Sequence, residues 1–146
     1  MSYSAGEANI LTLVQACSSF STANTSRGDW KVLNKGKSST YAILRPGRSP
    51  VDRASRNVMQ FRWRTVIEVW ERYKLDATTR TNLEGRVQEI AAKIAAYPHL
   101  NGATATNSDV IEIGDLLEMW TRSGIAWLRQ DITVEWWECI EVTYLD

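Results

Sequence analysis

The segment from Asn57 to Tyr73 alternates apolar and polar side chains over 17 residues, and this length restricts the folds open to the chain. Apolar side chains fall mainly on the odd positions from Met59 to Val69, with arginines, Gln60 and Glu68 between them. A period of two is typical of a β-strand with one buried face. At about 3.3 Å per residue the strand is ~56 Å long, whereas a compact domain of this size is about 40 Å across. We therefore expect the strand to bend, break or extend from its domain.

A second alternating segment, Ile132 to Tyr144, predicts another long strand, with Glu138 as its one interruption. Apolar residues at helical spacing predict helices over 5–19 and 83–97; Ser4 with Glu7, and Thr81 with Glu84, have capping-box spacing. We interpret three other segments as strands, although the third also has features of a helix: 30–33, 41–44 and 109–120. This order predicts an α+β fold: a mostly antiparallel sheet, two helices on one face, and one long strand extending from the domain.

The two long strands also carry apolar residues on their polar sides. Val66 and Trp70 interrupt the first strand, and Trp137 and Cys139 interrupt the last one. If helices cover one face of the sheet, these residues lie on the other face. Tryptophan is enriched at interface hot spots, so this second face is a candidate contact surface. The alternative, which the sequence leaves open, is a two-sided core with loops folded over it.

Length and composition predict a single domain over residues 1–146. No apolar run approaches the length of a membrane span, and no basic region near Met1 indicates a signal peptide. We therefore expect no contact with a membrane. Cys17 and Cys139 lie on separate predicted elements, so we interpret them as reduced thiols.

Charge is balanced overall but unevenly distributed along the chain. Residues 21–56 carry a net charge of +6, and residues 109–146 carry −7. Such asymmetry favours contact between unlike surfaces, either within one fold or between subunits. Two prolines and a glycine predict an exposed basic loop at about 45–56. Its arginines are Arg45, Arg48, Arg53 and Arg56.

No residue pattern indicates catalysis, a cofactor or a metal site, so we expect a protein that is not an enzyme. His99 is the sole histidine, and the segment Gly36-Lys37-Ser38 lacks the first glycine of a phosphate-binding loop, because position 31 is lysine. On a strand, acids three residues apart point to opposite faces and do not converge on a cation. This applies to Asp109, Glu112, Asp115 and Glu118.

A small nucleic-acid-binding α+β domain is an alternative function. Arginines of the predicted loop, together with Trp30 and Tyr41, are residue types that contact phosphates and stack on bases. The neutral net charge and the lack of a recognition-helix pattern argue against it.

The chain resembles the tail terminator, or tail completion, proteins of long-tailed bacteriophages, particularly the lambda-like kind. The likeness covers most of the chain as an order of elements. It rests on a helix at 5–19, a long strand at 59–70, a helix at 83–97 followed by Pro98-His99-Leu100, the segment 108–111, and a closing strand at 132–145. The basic stretch 21–56 departs from this likeness.

The resemblance implies a structural virion protein at the head–tail junction, assembled in the host cytoplasm. Such proteins form a hexameric ring that caps the tail tube protein, stops polymerisation and docks to the head connector or stopper protein, while DNA passes through the lumen. A head-completion or stopper protein is the nearest alternative. The family supplies no catalytic residues, so we infer the interface from physical chemistry. The expected interface residues are Val66, Trp70, Trp137, Arg45, Arg48, Arg53, Arg56, Glu135 and Glu141.

Overall fold

Two long antiparallel strands, β4 (Val58–Arg72) and β7 (Ala126–Glu141), form the axis of the fold in the computed structural model. The structure describes residues 3–35, 37–100, 108–122 and 124–144. Val58 lies opposite Glu141, and Arg72 lies opposite Trp127, so the two strands pair without a shift in register. At about 3.3 Å per residue, β4 is ~50 Å long. The long strand expected from the sequence is therefore present, and one end of it extends beyond the core.

Shorter strands flank this pair on both sides. They are β1 (Thr25–Arg27), β2 (Thr40–Pro46), β3 (Val51–Ser55), β5 (Asp109–Ile113) and β6 (Leu117–Trp120). The strand order is β1-β2-β4-β7-β5; β3 pairs with β4 beyond the end of β2, and β6 pairs with β7. Among these pairings β1–β2 is parallel and the others are antiparallel. The α+β fold with a mostly antiparallel sheet is confirmed.

Helices α1 (Tyr3–Gln15) and α3 (Ala77–Ala95) cover one face of the sheet, as expected. Ile10 and Val14 of α1 and Ile90 of α3 pack against buried strand residues such as Ile67 and Ile132. Both helices differ in their bounds from the sequence prediction. α1 ends at Gln15, and α3 begins after its N-cap Asp76, whose carboxylate accepts the Thr79 N–H at 3.0 Å.

A short helix, α2 (Val32–Lys35), covers part of the other face, where a strand had been predicted at 30–33. Asp29 Oδ1 accepts the Lys31 N–H at 3.0 Å and starts a turn in place of a strand. Leu33 then packs with Trp70 and Trp127 in a second small core. The expectation that Trp70 lies on an uncovered face is therefore wrong, since its side chain is 5% exposed. At this end, the two-sided core applies.

The segment 45–56 is not a loop. Strand β2 continues to Pro46, and the connection to β3 follows the edge of β4, where Gly47 N donates to Arg64 O at 2.8 Å and Arg62 N donates to Pro50 O at 3.0 Å. Proline lacks an N–H but can accept such a bond, so it is compatible with an edge strand. The basic segment is therefore ordered along β4.

The strand interpretation of 109–120 is confirmed, with an interruption between β5 and β6. Gly114 N donates to Asp131 O at 2.8 Å, and Gln130 Nε2 donates to Gly114 O at 2.9 Å. These bonds hold the bend against β7. β7 itself begins at Ala126, before the predicted start at Ile132.

Two helix glycines give a matched test of this packing. An ideal Cβ at Gly6 lies 2.4 Å from Trp136 Cζ2, whereas nothing lies within 4 Å of a Cβ at Gly85. We expect Gly6→Ala to lower the free energy of unfolding by about 1–3 kcal/mol through overpacking. Gly85→Ala should raise it by about 0.5–1 kcal/mol through helix propensity. Urea unfolding followed by circular dichroism measures both. Equal shifts for the two variants would contradict the packing of α1 on Trp136.

Candidate assembly site

One end of the sheet projects from the core as an arm. We define the arm as β3 with residues 58–64 of β4 and 135–141 of β7, which pair with one another. All of β3 is exposed, and residues 58–64 are half-buried, whereas residues 65–71 of β4 are buried. The arm is thus a three-stranded extension with much of its surface open.

The chain after β7 fixes the tip of the arm. Val142 N donates to Asn57 O at 2.7 Å, and the Tyr144 hydroxyl donates to Arg56 O. Arg53 Nη1 donates to the Tyr144 hydroxyl at 2.8 Å, and the Arg56 guanidinium lies 5.6 Å from the Tyr144 ring centroid. These partners are neutral, so the positive charges of both arginines are not balanced by them.

Aromatic side chains pack together at the base of the arm. Phe61 stacks on Trp63 with centroids 5.0 Å apart, and Tyr3 of α1 lies edge-on to Trp63 at 5.8 Å. Trp63 Nε1 donates to Glu138 Oε2 at 2.7 Å. Aromatic contacts of this geometry add to simple area burial. The arm is therefore anchored to the helical face of the domain.

On the opposite face of the arm, charged side chains pair within the chain. Arg64 Nε lies 2.8 Å from Glu135 Oε2, and Trp137 Nε1 donates to Glu135 Oε1 at 3.1 Å. Arg62 forms an ion pair with Asp52, and its guanidinium lies 5.6 Å from the Trp137 ring centroid. Trp137 remains 38% exposed despite these contacts. It is an apolar surface that a partner can cover.

The same face continues into the domain as a buried ion network centred on Glu68. This carboxylate is 2% exposed and accepts from Arg45 Nε at 2.5 Å, Trp30 Nε1 at 2.7 Å and Trp70 Nε1 at 3.2 Å. Arg129 Nη2 also lies 3.3 Å from it. A buried carboxylate is tolerated when it is paired and hydrogen-bonded in this way. These contacts satisfy the Glu68 carboxylate within the fold.

The structure separates the residues expected at the interface into two groups. Val66, Trp70 and Glu135 are buried, and Arg45 is held by Glu68 and Asp131, so these four are engaged within the chain. The others are exposed on the arm or next to it. They are Arg48, Arg53, Arg56, Trp137 and Glu141.

The sequence reasoning missed a second exposed surface, the outer edge of β5 and β6, which we call the β5–β6 edge. Its apolar side chains include Trp120, which is 63% exposed. Its signal was present in the sequence, where Glu112 lies between two isoleucines, but the acids of this segment were considered only as possible ligands of a cation. None of the four acids forms an ion pair with a described residue. The exposed residues of the edge are Ile111, Ile113, Leu117, Trp120, Asp109, Glu112, Asp115 and Glu118.

A groove of about 460 Å³ lies between β6 and the start of α3, and a second of about 390 Å³ lies between the β4–α3 connection and the turn from β6 to β7; both are lined by Tyr73 and Leu75. Leu75 is 73% exposed and has a φ of +59°. Positive φ is unfavourable for leucine. The lining mixes apolar residues with a few charges and contains no arrangement typical of catalysis.

The described part of the chain has neither a metal-binding cluster nor a membrane-spanning helix. Within residues 3–35, 37–100, 108–122 and 124–144, no group of three or more His, Cys, Asp or Glu side chains is placed to hold a metal ion. No helix in those ranges is long and apolar enough to cross a membrane. Gly36 of the rejected phosphate-loop motif lies outside the described residues.

Comparisons of the sequence with protein-family models and with curated proteins gave no match. The fold and the exposed surfaces therefore define this chain as an α+β protein with a projecting arm and an acidic apolar edge on the other side of its sheet.

The two cysteines give a direct test of the arm's exposure. Cys139 lies on the arm and is exposed, whereas Cys17 is buried, and burial raises the pKa of its thiol to about 11. Because the thiolate is the reactive form, we expect iodoacetamide at pH 8 to modify Cys139 and leave Cys17 unmodified in dilute native protein. Peptide mass spectrometry measures both sites, with urea-unfolded protein as the control. Native protection of Cys139 would contradict a projecting arm.

Proposed function

We propose that this protein is a structural virion component at the head–tail junction of a long-tailed bacteriophage, acting as the tail terminator. The observation that carries the proposal is the arm, an exposed three-stranded extension of a sheet whose other end is packed on both faces. An arm of this kind adds exposed surface without adding to the chain's own core. Contact with other subunits gives a physical reason for it.

The role is assembly and not catalysis. Subunits form a ring, a hexamer by the resemblance, which sits on the last ring of the tail tube protein and stops its polymerisation. The opposite face of the ring docks to the head connector or stopper protein, and DNA passes through the lumen. The protein is assembled in the host cytoplasm and remains in the virion.

A ring needs two different patches on each subunit that meet head to tail. The protein has two such candidates at opposite edges of its sheet, the β3 edge of the arm and the β5–β6 edge. Exposed ion pairs contribute only about 0–1 kcal/mol each, so most of the association energy has to come from apolar burial at roughly 25 cal/mol per Å². Trp137 and Trp120 are the largest exposed apolar side chains of these two surfaces.

Assembly of the purified protein and its effect on tubes test the proposal. We expect mass photometry and negative-stain electron microscopy to show closed rings of six subunits. When mixed with polymerising tail tube protein from the same phage, the rings should bind tube ends and halt elongation. Bovine serum albumin at equal mass is the control. A chain that stays monomeric at high micromolar concentration and leaves tube growth unchanged would refute the proposal.

Two adjacent tryptophans of β7 allow assembly and folding to be tested separately. Trp136 is 1% exposed in the core, whereas Trp137 is 38% exposed on the opposite face. We expect Trp136→Ala to cost about 3–5 kcal/mol of stability. Trp137→Ala should cost about 1 kcal/mol or less but reduce the fraction of assembled protein. Thermal unfolding and mass photometry measure the two effects. A Trp137→Ala variant that assembles normally would remove this residue from the interface.

A further inference from the structure

We infer that the β3 edge of one subunit joins the β5–β6 edge of the next, so that neighbouring sheets become continuous. This inference rests on the proposed ring and names the surfaces that form it. The occupant of the β5–β6 edge is therefore a second copy of this chain. A strand edge presents unpaired N–H and C=O groups, which another strand can satisfy.

The position of the two edges suits a head-to-tail contact. Strand β3 pairs with β4 on the side away from β7, and β5 and β6 pair with β7 on the side away from β4. The free edges therefore face in opposite directions across the sheet. Within the described residues, no further strand pairs with either edge. Contacts between unlike patches repeat from subunit to subunit and close into a ring when the rotation permits.

Charge complementarity selects these two edges. Strand β3 and the connections on either side of it carry three arginines that form no ion pair with a described carboxylate, although several other arginines do: Arg48, Arg53 and Arg56. The β5–β6 edge carries acids in the same condition and no basic residue between positions 109 and 120. A contact between these surfaces pairs charges that the single subunit leaves unpaired, and it guides the correct orientation.

Apolar surface and strand length also agree. Strands β3 and β5 each have five residues, and each exposes at least one large apolar side chain: Val51 on β3, and Ile111 and Ile113 on β5. Leu117 and Trp120 of β6 continue the apolar surface. Burial of these residues supplies the non-directional part of the association, while backbone pairing fixes its register.

The other free edge of the arm, residues 136–141 of β7, is a weaker candidate for the same contact. Two of its side chains are engaged within the chain, since Trp137 donates to Glu135 and Glu138 accepts from Trp63. Glu141 forms no ion pair with a described residue, but it is one acid against four on the β5–β6 edge. The acids of the β5–β6 edge have no such partners among the described residues. For this reason the structure assigns the arginines of the neighbouring arm to the β5–β6 edge.

Crosslinking between two single-cysteine variants tests the contact. Both variants carry Cys139→Ser; one has Ala54→Cys in β3, and the other has Ile111→Cys in β5. Cys17 is buried and does not interfere. A short bismaleimide allows for an unknown register. We expect a crosslinked dimer in the mixture that neither variant gives alone. Gln88→Cys on the exposed side of α3 replaces Ala54→Cys as the matched control and should give no product.

The outcomes distinguish this inference from the proposed function. Rings that form without the Ala54–Ile111 crosslink overturn the edge pairing and leave the capping role standing. A chain that forms no oligomer overturns both. Charge reversal gives a second readout: Arg53→Glu should weaken assembly about tenfold, and adding Glu112→Arg should restore it. An Arg53→Glu variant that assembles normally overturns the electrostatic part.

Discussion

The continuous pairing of β4 with β7 is the interaction on which the rest of this structure depends. The two strands remain in register from Val58 opposite Glu141 to Arg72 opposite Trp127. Every other strand except β1 attaches to one of these two. This pair is therefore the central element of the sheet. Its inner part lies in the core, and its outer part belongs to the arm. Loss of register by one residue would exchange the two faces along its whole length.

The two faces of this strand pair bury different kinds of side chain. The face under α1 and α3 is apolar and dry, so it stabilises the fold by burial. The other face holds the Glu68 network, in which two arginines and two indoles satisfy one buried carboxylate. Such a network adds little net stability but fixes geometry, because removal of one partner leaves an unpaired charge. The Arg64–Glu135 pair at the base of the arm lies on the same face of the sheet.

Periodicity in the sequence was sufficient to predict the long strands, the two main helices and the α+β class. Local turn chemistry was not predicted: Asp29 starts a helical turn at a segment that has strand-like composition. Alternation in the sequence also did not predict whether each tryptophan is buried or exposed. Trp70 and Trp137 have the same pattern, yet Trp70 is covered by α2 and Trp127, while Trp137 lies past the end of that cover. Which face a side chain takes is a local property, whereas what covers that face depends on distant parts of the chain.

The same distinction applies to charge. The net charge of each segment predicted that unlike surfaces would meet, but it did not predict which residues pair within the chain. The sequence divides into basic and acidic segments, and the fold pairs part of them internally, as in the contact of Arg45 with Asp131 at 3.3 Å. Other charges stay unpaired at opposite edges of the sheet, on and beside β3 and on the β5–β6 edge. Charged residues nearest the centre of the sheet are paired within the chain, because burial of an unpaired ion there would be strongly destabilising. Charges at the edges can remain solvated, and for that reason the unpaired residues, more than the total charge, support the proposed contact between subunits.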